Sequence, residues 1–316
     1  RKAEAQLQEV QAVSMSQQTV PSGVAKDSLR AWLLATRPAT LTVGLIPVVI
    51  GTAVAHTMHA MRLLPALAAL FGAVFIQIGT NLANDVFDYE KGADTAERLG
   101  PLRVTQAGLI APHNVRLGMY ISFALATVMG IYLTWVAGPY VLLIGVLSIA
   151  SGIAYTGGPY PLGYNGLGDL FVFVFFGLVA VCGTVFVEAG RLSVLAFYAA
   201  LPVGALATAV LVVNNLRDGP TDVKAGKRTL VVRFGRSFGV AEYWVLLATA
   251  FVIPLYLWVS GQLGRAALLP LLSLPLAVPL CRSVLRDRGA PLNRTLAQTA
   301  RLLLVHGLLF ALGIVL

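Results

Sequence analysis

The sequence predicts an all-α polytopic membrane protein with about nine transmembrane helices around a central cavity. Of the 316 residues, 57% are hydrophobic and 12% are charged, whereas ordinary soluble domains carry about 25% charged residues. The apolar residues fall into runs of about 20, the length that a helix needs to cross the hydrocarbon core of a bilayer. Two clusters rich in Asn and Asp each close one of these runs.

About nine such runs follow one another along the chain. They cover approximately residues 38–58, 63–85, 115–137, 139–156, 167–187, 193–216, 237–259, 266–285 and 296–316. Short turns with Gly or Pro join several neighbours, as expected for pairs of antiparallel helices. The longer connections are 86–114, 157–166 and 217–236.

A polar segment, residues 1–28, precedes the first run and lacks the apolar core of a signal peptide. We interpret it as a flexible N-terminal extension. Residues 1–14, ahead of Met15, are interpreted as vector-derived or unrelated to the domain. The transmembrane domain is predicted to comprise residues 29–316.

The positions of the basic residues predict the orientation. With the N-terminus in the cytoplasm, most of the 23 Lys and Arg residues fall in inside segments, and the outside loops contain Arg62, Arg191 and Arg265. This follows the positive-inside rule and places both acidic clusters on the cytoplasmic side. The net charge of +9 therefore does not indicate nucleic acid, since no basic stripe with interleaved aromatic residues accompanies it.

The cysteines and histidines indicate neither a disulfide framework nor a zinc site. Cys182 and Cys281 each lie alone in an apolar run, as small buried side chains commonly do. The histidines are scattered, without the spacing to other ligands that a zinc site requires. The sequence also predicts no protein partner.

An internal repeat relates the two acidic clusters. They are Asn84-x3-Asp88 followed by Lys91-Gly92, and Asn214-x3-Asp218 followed by Lys224-Ala225-Gly226. Four predicted spans separate them, which returns the chain to the same side of the membrane. The pattern therefore predicts two four-helix units and one added helix, with the acidic helix ends facing each other across a cavity.

Facing carboxylates and side-chain amides at a membrane surface suit Mg²⁺, which takes few protein ligands and completes its shell with water and phosphate oxygens. Basic residues follow both clusters. They are Lys91, Arg98 and Arg103 after the first, and Arg217, Lys224, Lys227 and Arg228 after the second. Such cations neutralise a leaving pyrophosphate. Together with an apolar cavity they predict a polyprenyl diphosphate as substrate.

At this point the residues resemble a known family. Asn84-x3-Asp88-x5-Asp94 and Asn215-Leu216-Arg217-Asp218-x3-Asp222 resemble the two aspartate-rich motifs of the UbiA superfamily of intramembrane prenyltransferases. Within it, the chain is most similar to the 1,4-dihydroxy-2-naphthoate polyprenyltransferases (MenA type) of menaquinone biosynthesis. Further matching segments are 36–40, 100–104, 155–159, 166–169 and 226–230. The resemblance implies a multi-pass enzyme of the bacterial cytoplasmic membrane.

The resemblance also implies roles for individual residues. Mg²⁺ would be held by Asn84, Asp88, Asp94, Asp218 and Asp222. The substrates would contact Asn84, Arg37, Arg103, Asn215, Lys224 and Asp169, and the expected catalytic residues are Asp88, Asp218, Lys91 and Tyr155. Asp85 is given a supporting role. Gly219-Pro220 departs from the family pattern and favours a loop or a new turn for Asp222 over the same helical stripe.

The implied reaction joins the polyprenyl group to an aromatic acid. The allylic C–O bond ionises, the naphthoate ring attacks through the carbon that bears its carboxylate, and CO₂ leaves to give demethylmenaquinol. Tyr155, ahead of Tyr160 and Tyr164, is the first choice for stabilising the allylic cation through its ring. Anchoring at the membrane interface is an equally good explanation for these tyrosines.

Several other residues stay open between a site role and a structural role. Arg37 could contact the aromatic carboxylate or the diphosphate, or it could be a juxtamembrane anchor. Asp169 could orient the acceptor, although stabilisation of a helix N-terminus is favoured. Glu188 and Glu242 are predicted to be surface residues.

The alternatives concern the acceptor and the class of protein. Another aromatic acceptor, such as 4-hydroxybenzoate, homogentisate or a heme or chlorophyll precursor, fits the same motifs. A lipid or small-molecule transporter also fits internal repeats, but clustering of the acids at one membrane face disfavours it. A scaffold protein would have no use for paired Asp motifs.

Overall fold

The computed structural model describes residues 24–93 and 99–316, and these residues form an all-helical bundle. Eight of its helices are long and apolar enough to cross a membrane. The long helices are α2 (Pro38–Thr57), α3 (Leu63–Glu90), α4 (Pro112–Ala137), α6 (Gly168–Ala189), α7 (Val194–Lys224), α9 (Arg236–Val259), α10 (Arg265–Arg286) and α11 (Leu292–Val315). The fold class predicted from composition is confirmed.

Three helices are shorter. They are α1 (Leu29–Thr36), α5 (Pro139–Ala154) and α8 (Leu230–Phe234). α5 is apolar but has only 16 residues, so at 1.5 Å per residue it is about 24 Å long, less than the hydrocarbon core. The fourth predicted span, 139–156, is therefore a short helix, and the described residues contain eight spans of full length rather than nine.

The chain enters the bundle through a fixed corner between α1 and α2. The Ser28 side chain accepts a hydrogen bond from the backbone N–H of Ala31 and so caps α1. Arg37 then adopts a left-handed backbone conformation with φ 52°, and Pro38 opens α2 at a position where its missing N–H costs nothing. The amide of Asn81 on α3 donates to Thr36 O and Thr40 Oγ1, so α3 holds this corner in place.

α7 is the central helix of the second half of the chain. Its buried stretch is rich in small residues, and α2, α9 and α11 pack around it. A Cβ on Gly204 would lie 2.8 Å from the carbonyl oxygen of Phe173, and one on Gly177 would lie 2.7 Å from the Cα of Gly204. Only glycine permits this approach of α6 to α7, the mode of packing that membrane helices favour.

Two predictions about local structure are wrong. α7 continues without interruption through Gly219 and Pro220 to Lys224, so Asp222 lies on the same helix as Asp218. A proline removes one helical hydrogen bond, and here the buried residues on either side keep the helix intact. Glu188 is also buried, at 2% exposure, because it accepts hydrogen bonds from Thr52 Oγ1 and from the backbone N–H of Arg62. Glu242 is half-buried rather than at the surface.

Candidate active site

The first acidic motif is held by residues that follow it in the chain. Asp88 is buried near the end of α3. One carboxylate oxygen accepts a hydrogen bond from Arg103 Nη2 at 2.8 Å, and the other accepts from the Tyr164 hydroxyl at 2.8 Å. One cationic and one neutral donor therefore hold the Asp88 carboxylate in a defined position.

Asp85 and Asn84 position the segments around Asp88. The Asp85 carboxylate accepts from the backbone N–H groups of Val104 and Thr105 at 3.2 and 3.1 Å, which anchors the segment that carries Arg103. Asn84 Oδ1 accepts from the Thr156 hydroxyl at 2.8 Å. The supporting role predicted for Asp85 matches these contacts.

The second motif centres on a completely buried arginine. Arg217 donates from Nε and Nη2 to the two carboxylate oxygens of Asp218, at 2.8 and 2.6 Å. It also donates to Asn214 Oδ1 and to Asn293 Oδ1, at 2.6 and 2.8 Å. Such a fork of charge-assisted bonds fixes the Asp218 side chain. One turn further on, Asp222 lies 3.6 Å from Lys227 Nζ.

Tyr164 joins the two motifs. Its hydroxyl bonds Asp88, and its ring lies beneath two ammonium groups, with Lys91 Nζ at 5.1 Å and Lys227 Nζ at 4.8 Å from the ring centroid. Lys227 in turn pairs with Asp222. The ends of α3 and α7 are therefore on the same face of the bundle, called here the motif face, as the internal repeat predicts.

The pKa of Lys91 reflects this crowding. Lys91 caps the end of α3 and donates to the carbonyl oxygen of Thr156. Removal of water by the surrounding protein lowers its pKa most; the Asp88 carboxylate opposes this effect, and the neighbouring Lys227 lowers the pKa further. The two ammonium groups repel each other, and an anion bound beside both of them would offset this repulsion.

Tyr155 lies just below this polar layer. Its hydroxyl is next to Gly168, where an added Cβ would approach to 2.9 Å, and Asp88, Asp169 and Asp222 all lie near enough to act on it electrostatically. Asp169, in the first turn of α6, is buried and accepts from Asn215 Nδ2 at 3.5 Å. Residues from both halves of the chain therefore converge on Tyr155.

An apolar cavity begins at Tyr155 and extends between α2, α3, α4, α5 and α6. It has a volume of about 250 Å³ and is lined along its length by Thr80, Ile76, Phe175 and Val187. Several lining positions are glycines, and at Gly183 an added Cβ would meet no atom within 4 Å. The polar groups lie at one end of this cavity, so an amphiphile could place its head on the motif face and its tail among the helices.

The remaining predicted residues have less defined places. Arg37 is half-buried at the corner between α1 and α2, and Lys224 is exposed at the end of α7. Asp94 and Arg98 lie outside the described residues.

Within the described residues, no group of three His, Cys, Asp or Glu side chains is arranged to hold a metal ion by itself. The oxygen donors of Asn84, Asp88, Asp218 and Asp222 nevertheless have the chemistry that Mg²⁺ prefers, provided that phosphate and water complete the shell.

The sequence does not indicate that Tyr164 contacts both motifs. It lies in a 3₁₀ turn, Gly163–Asn165, whose conformation is fixed by contacts distant in sequence. The backbone N–H of Arg228 donates to Tyr164 O, and Arg233 donates to Asn165 O. No spacing in the sequence signals these contacts.

The model of the UbiA prenyltransferase family matches residues 44–313. The chain belongs to this family. It is 39% identical to the 1,4-dihydroxy-2-naphthoate octaprenyltransferase of Mycobacterium tuberculosis, over 90% of this chain and 96% of the relative. It is also 39% identical to the Escherichia coli protein of the same name, over 90% and 95% of the two chains.

A solved structure shares the fold. A UbiA homolog from Archaeoglobus fulgidus bound to DMAPP and Mg²⁺ superposes with a TM-score of 0.62, at 15% identity, over 88% of this chain and 98% of the homolog. The resemblance stated from the aspartate motifs is thus confirmed. The chain is a multi-pass membrane protein of the prenyltransferase class.

Proposed function

We propose that this protein transfers a polyprenyl group from polyprenyl diphosphate to 1,4-dihydroxy-2-naphthoate, with release of pyrophosphate and CO₂, to give demethylmenaquinol. The observation that carries the proposal is the convergence of both acidic motifs on Tyr164, close to an apolar cavity whose polar end is lined by Tyr155. The acceptor follows from the two relatives that are 39% identical over most of both chains.

The diphosphate is expected to bind between the two motifs. Lys91 and Lys227 both lie over the Tyr164 ring, and we expect Arg103 and Lys224 to contact the phosphates as well. Asn84, Asp88, Asp218 and Asp222, with Asp94, would hold Mg²⁺, an ion that the A. fulgidus homolog binds together with DMAPP. The metal would supply positive charge to the diphosphate oxygens.

The cationic groups act on the bond that breaks. As the allylic C–O bond cleaves, its electron pair moves to the diphosphate oxygen, and Lys91 and Lys227 stabilise the negative charge that develops there. The allylic carbon then lies near the Tyr155 ring, whose face stabilises positive charge. The ring carbon of the acceptor that bears the carboxylate forms the new C–C bond, and CO₂ leaves as the ring regains its aromatic electrons.

Location and orientation are part of the proposal. The motif face would be on the cytoplasmic side of a bacterial inner membrane, since the basic residues are concentrated in its loops. Residues 29–316 would form the membrane domain, and residues 1–28 an extension that takes no part in catalysis.

The test uses purified full-length protein in nanodiscs with Mg²⁺, a polyprenyl diphosphate and one acceptor at a time. We expect prenylation with CO₂ release from the naphthoate and none from 4-hydroxybenzoate or homogentisate. Asp88→Asn should lower kcat/KM by about 100-fold, the size typical of a lost charge-stabilising group. Removal of Mg²⁺ by a chelator should abolish turnover, and added Mg²⁺ should restore it.

The matched control is Glu90→Gln. Glu90 lies one half-turn beyond Asp88 on the same helix but pairs with Arg116 at the exposed surface, so its loss should leave turnover unchanged. Equal activity of Asp88→Asn and Glu90→Gln would refute the assigned site. Uptake of labelled substrate into vesicles without pyrophosphate formation would instead identify a transporter.

A further inference from the structure

A second groove lies on the outer surface of the bundle, between α10 and α11. Its walls are formed by Leu276 and Pro279 on α10 and by Arg294, Gln298 and Arg301 on α11, and its volume is about 610 Å³. It opens near the motif face, because Asn293, next to Arg294, accepts from Arg217 and donates to Leu99 O at 2.7 Å. The groove is separate from the cavity that begins at Tyr155.

The polar lining forms one stripe of α11. Arg294, Gln298 and Arg301 are spaced by four and three residues, which places them on the same helix face, and all three are exposed. Over seven residues the stripe descends roughly 10 Å along the helix. Positive charge therefore extends from the end of the helix into the region beside the membrane core.

The register of α10 against α11 sets the depth of Arg301. The hydroxyl groups of Ser283 and Thr295 bond each other at 2.5 Å, and the two helices run in opposite directions. Six residues further into the bundle, Arg301 lies level with the stretch around Ala277. The neighbours of Ala277, Leu276 and Val278, are 36% and 49% exposed, as expected of side chains that face lipid.

The orientation of the chain in the membrane does not by itself explain why a basic residue, Arg301, stands at this depth. The positive-inside rule accounts for basic residues at helix ends and in loops, and it covers Arg294. An exposed arginine level with lipid-facing leucine and valine is costly unless its guanidinium reaches a polar or anionic group. Within the described ranges, neither Arg294 nor Arg301 forms an ion pair with an acidic side chain.

We propose that this groove binds an anionic glycerophospholipid, with its phosphate between Arg294 and Arg301 and an acyl chain against Leu276 and Pro279. Basic pockets between transmembrane helices are suited to such headgroups, and guanidinium groups match phosphate geometry. The one carboxylate in the lining, Asp287, accepts a hydrogen bond from the Ser283 hydroxyl, which reduces its repulsion of the phosphate. Gln298, between the arginines, supplies a further donor.

The proposal is tested by native mass spectrometry of the full-length protein released from nanodiscs that contain phosphatidylglycerol and phosphatidylcholine in equal amounts. Wild type should retain phosphatidylglycerol in preference. Arg294→Gln with Arg301→Gln should lower the affinity for phosphatidylglycerol about 25-fold, since each cation near the surface contributes roughly a factor of five. Arg191→Gln with Arg265→Gln removes the same charge from exposed positions outside the groove and should retain lipid like wild type.

Further arms exclude other outcomes. Inorganic phosphate at millimolar concentration should not displace the lipid, because the acyl chain contributes to binding. A photoreactive phosphatidylglycerol should crosslink wild type within residues 275–301, a result that does not depend on the folding of any variant. Equal retention by the two double variants, equal retention of both lipids by wild type, or crosslinks confined to other helices would overturn the proposal.

Discussion

The two motif helices, α3 and α7, end at the same face but are stabilised in different ways. Asp88 on α3 depends on Arg103 and Tyr164, which come from separate segments of the chain. Asp218 on α7 is held by Arg217, its own neighbour. α3 borders the open cavity along much of its length, whereas α7 is surrounded by other helices.

The internal repeat alone would give the two motifs the same role, but this difference in support indicates different roles. The second motif is built into the packed half of the bundle, so its geometry is set once the helices assemble. The first motif lies near the polar end of the cavity, and its geometry depends on the loop segments that carry Arg103 and Tyr164. We expect the first motif to respond to substrate and the second to serve as a fixed support.

The largest expected effect is on stability, at the second motif. Arg217→Met leaves the buried Asp218 carboxylate without its cationic partner, which should cost about 3–5 kcal/mol. Arg103→Met should cost less, because Asp88 keeps the Tyr164 hydroxyl. The free energy of unfolding in mixed micelles measures both. The double variant Arg217→Met/Asp218→Asn should recover part of the lost free energy of unfolding. An unchanged stability of Arg217→Met would contradict the role of the second motif as a fixed support.

An intermediate effect is expected at the residue that links the motifs. Tyr164→Phe removes the hydroxyl bond to Asp88 and should lower kcat/KM about tenfold, the value of a hydrogen bond to a charged group. Tyr164→Ala also removes the ring beneath Lys91 and Lys227 and should lower it roughly tenfold more. Tyr160→Phe, at an exposed side chain, is the control. Equal turnover of Tyr164→Phe and Tyr164→Ala would show that the ring has no part.

The smallest expected effect is a shift in the titration of Lys91. Because burial and Lys227 lower its pKa more than Asp88 raises it, Lys91 loses its proton at a lower pH than an ordinary lysine. In the proposed function, the protonated form is the one that binds diphosphate. Lys227→Met should raise the pKa, and Asp88→Asn should lower it further.

Acetylation at pH 8 measures this shift, since only the neutral amine reacts. Lys91 should react more slowly in Lys227→Met and faster in Asp88→Asn, with Lys26 as the internal standard. A change in the same direction in both variants would show that the two side chains do not act on Lys91 through their charges.

Local patterns in the sequence were sufficient for much of this description. Runs of about 20 apolar residues predict membrane helices because the bilayer leaves the backbone no other way to satisfy its hydrogen bonds. Asn84 and Asp88 lie on one helix face because residues four apart are on the same side of an α-helix. The predicted length of α5 is too great, because hydrophobicity measures preference for lipid but does not show where a helix ends.

Errors arose where packing overrides local preference. Pro220 disfavours a helix in isolation, yet α7 continues to Lys224 because buried contacts on both sides of Pro220 outweigh one lost hydrogen bond. A glutamate is usually found at the surface, but the Glu188 carboxylate is buried because it accepts hydrogen bonds from Thr52 and from the backbone N–H of Arg62, which are distant in sequence.

The sequence by itself determined the membrane class, the internal repeat and the family, since each depends on residue types at fixed short spacings. Only the tertiary structure decided that Tyr164 connects the two motifs and that the cavity lies in the first half of the bundle. Those features depend on which distant segments touch, and contacts of that kind are set by the packing of whole helices rather than by any local pattern.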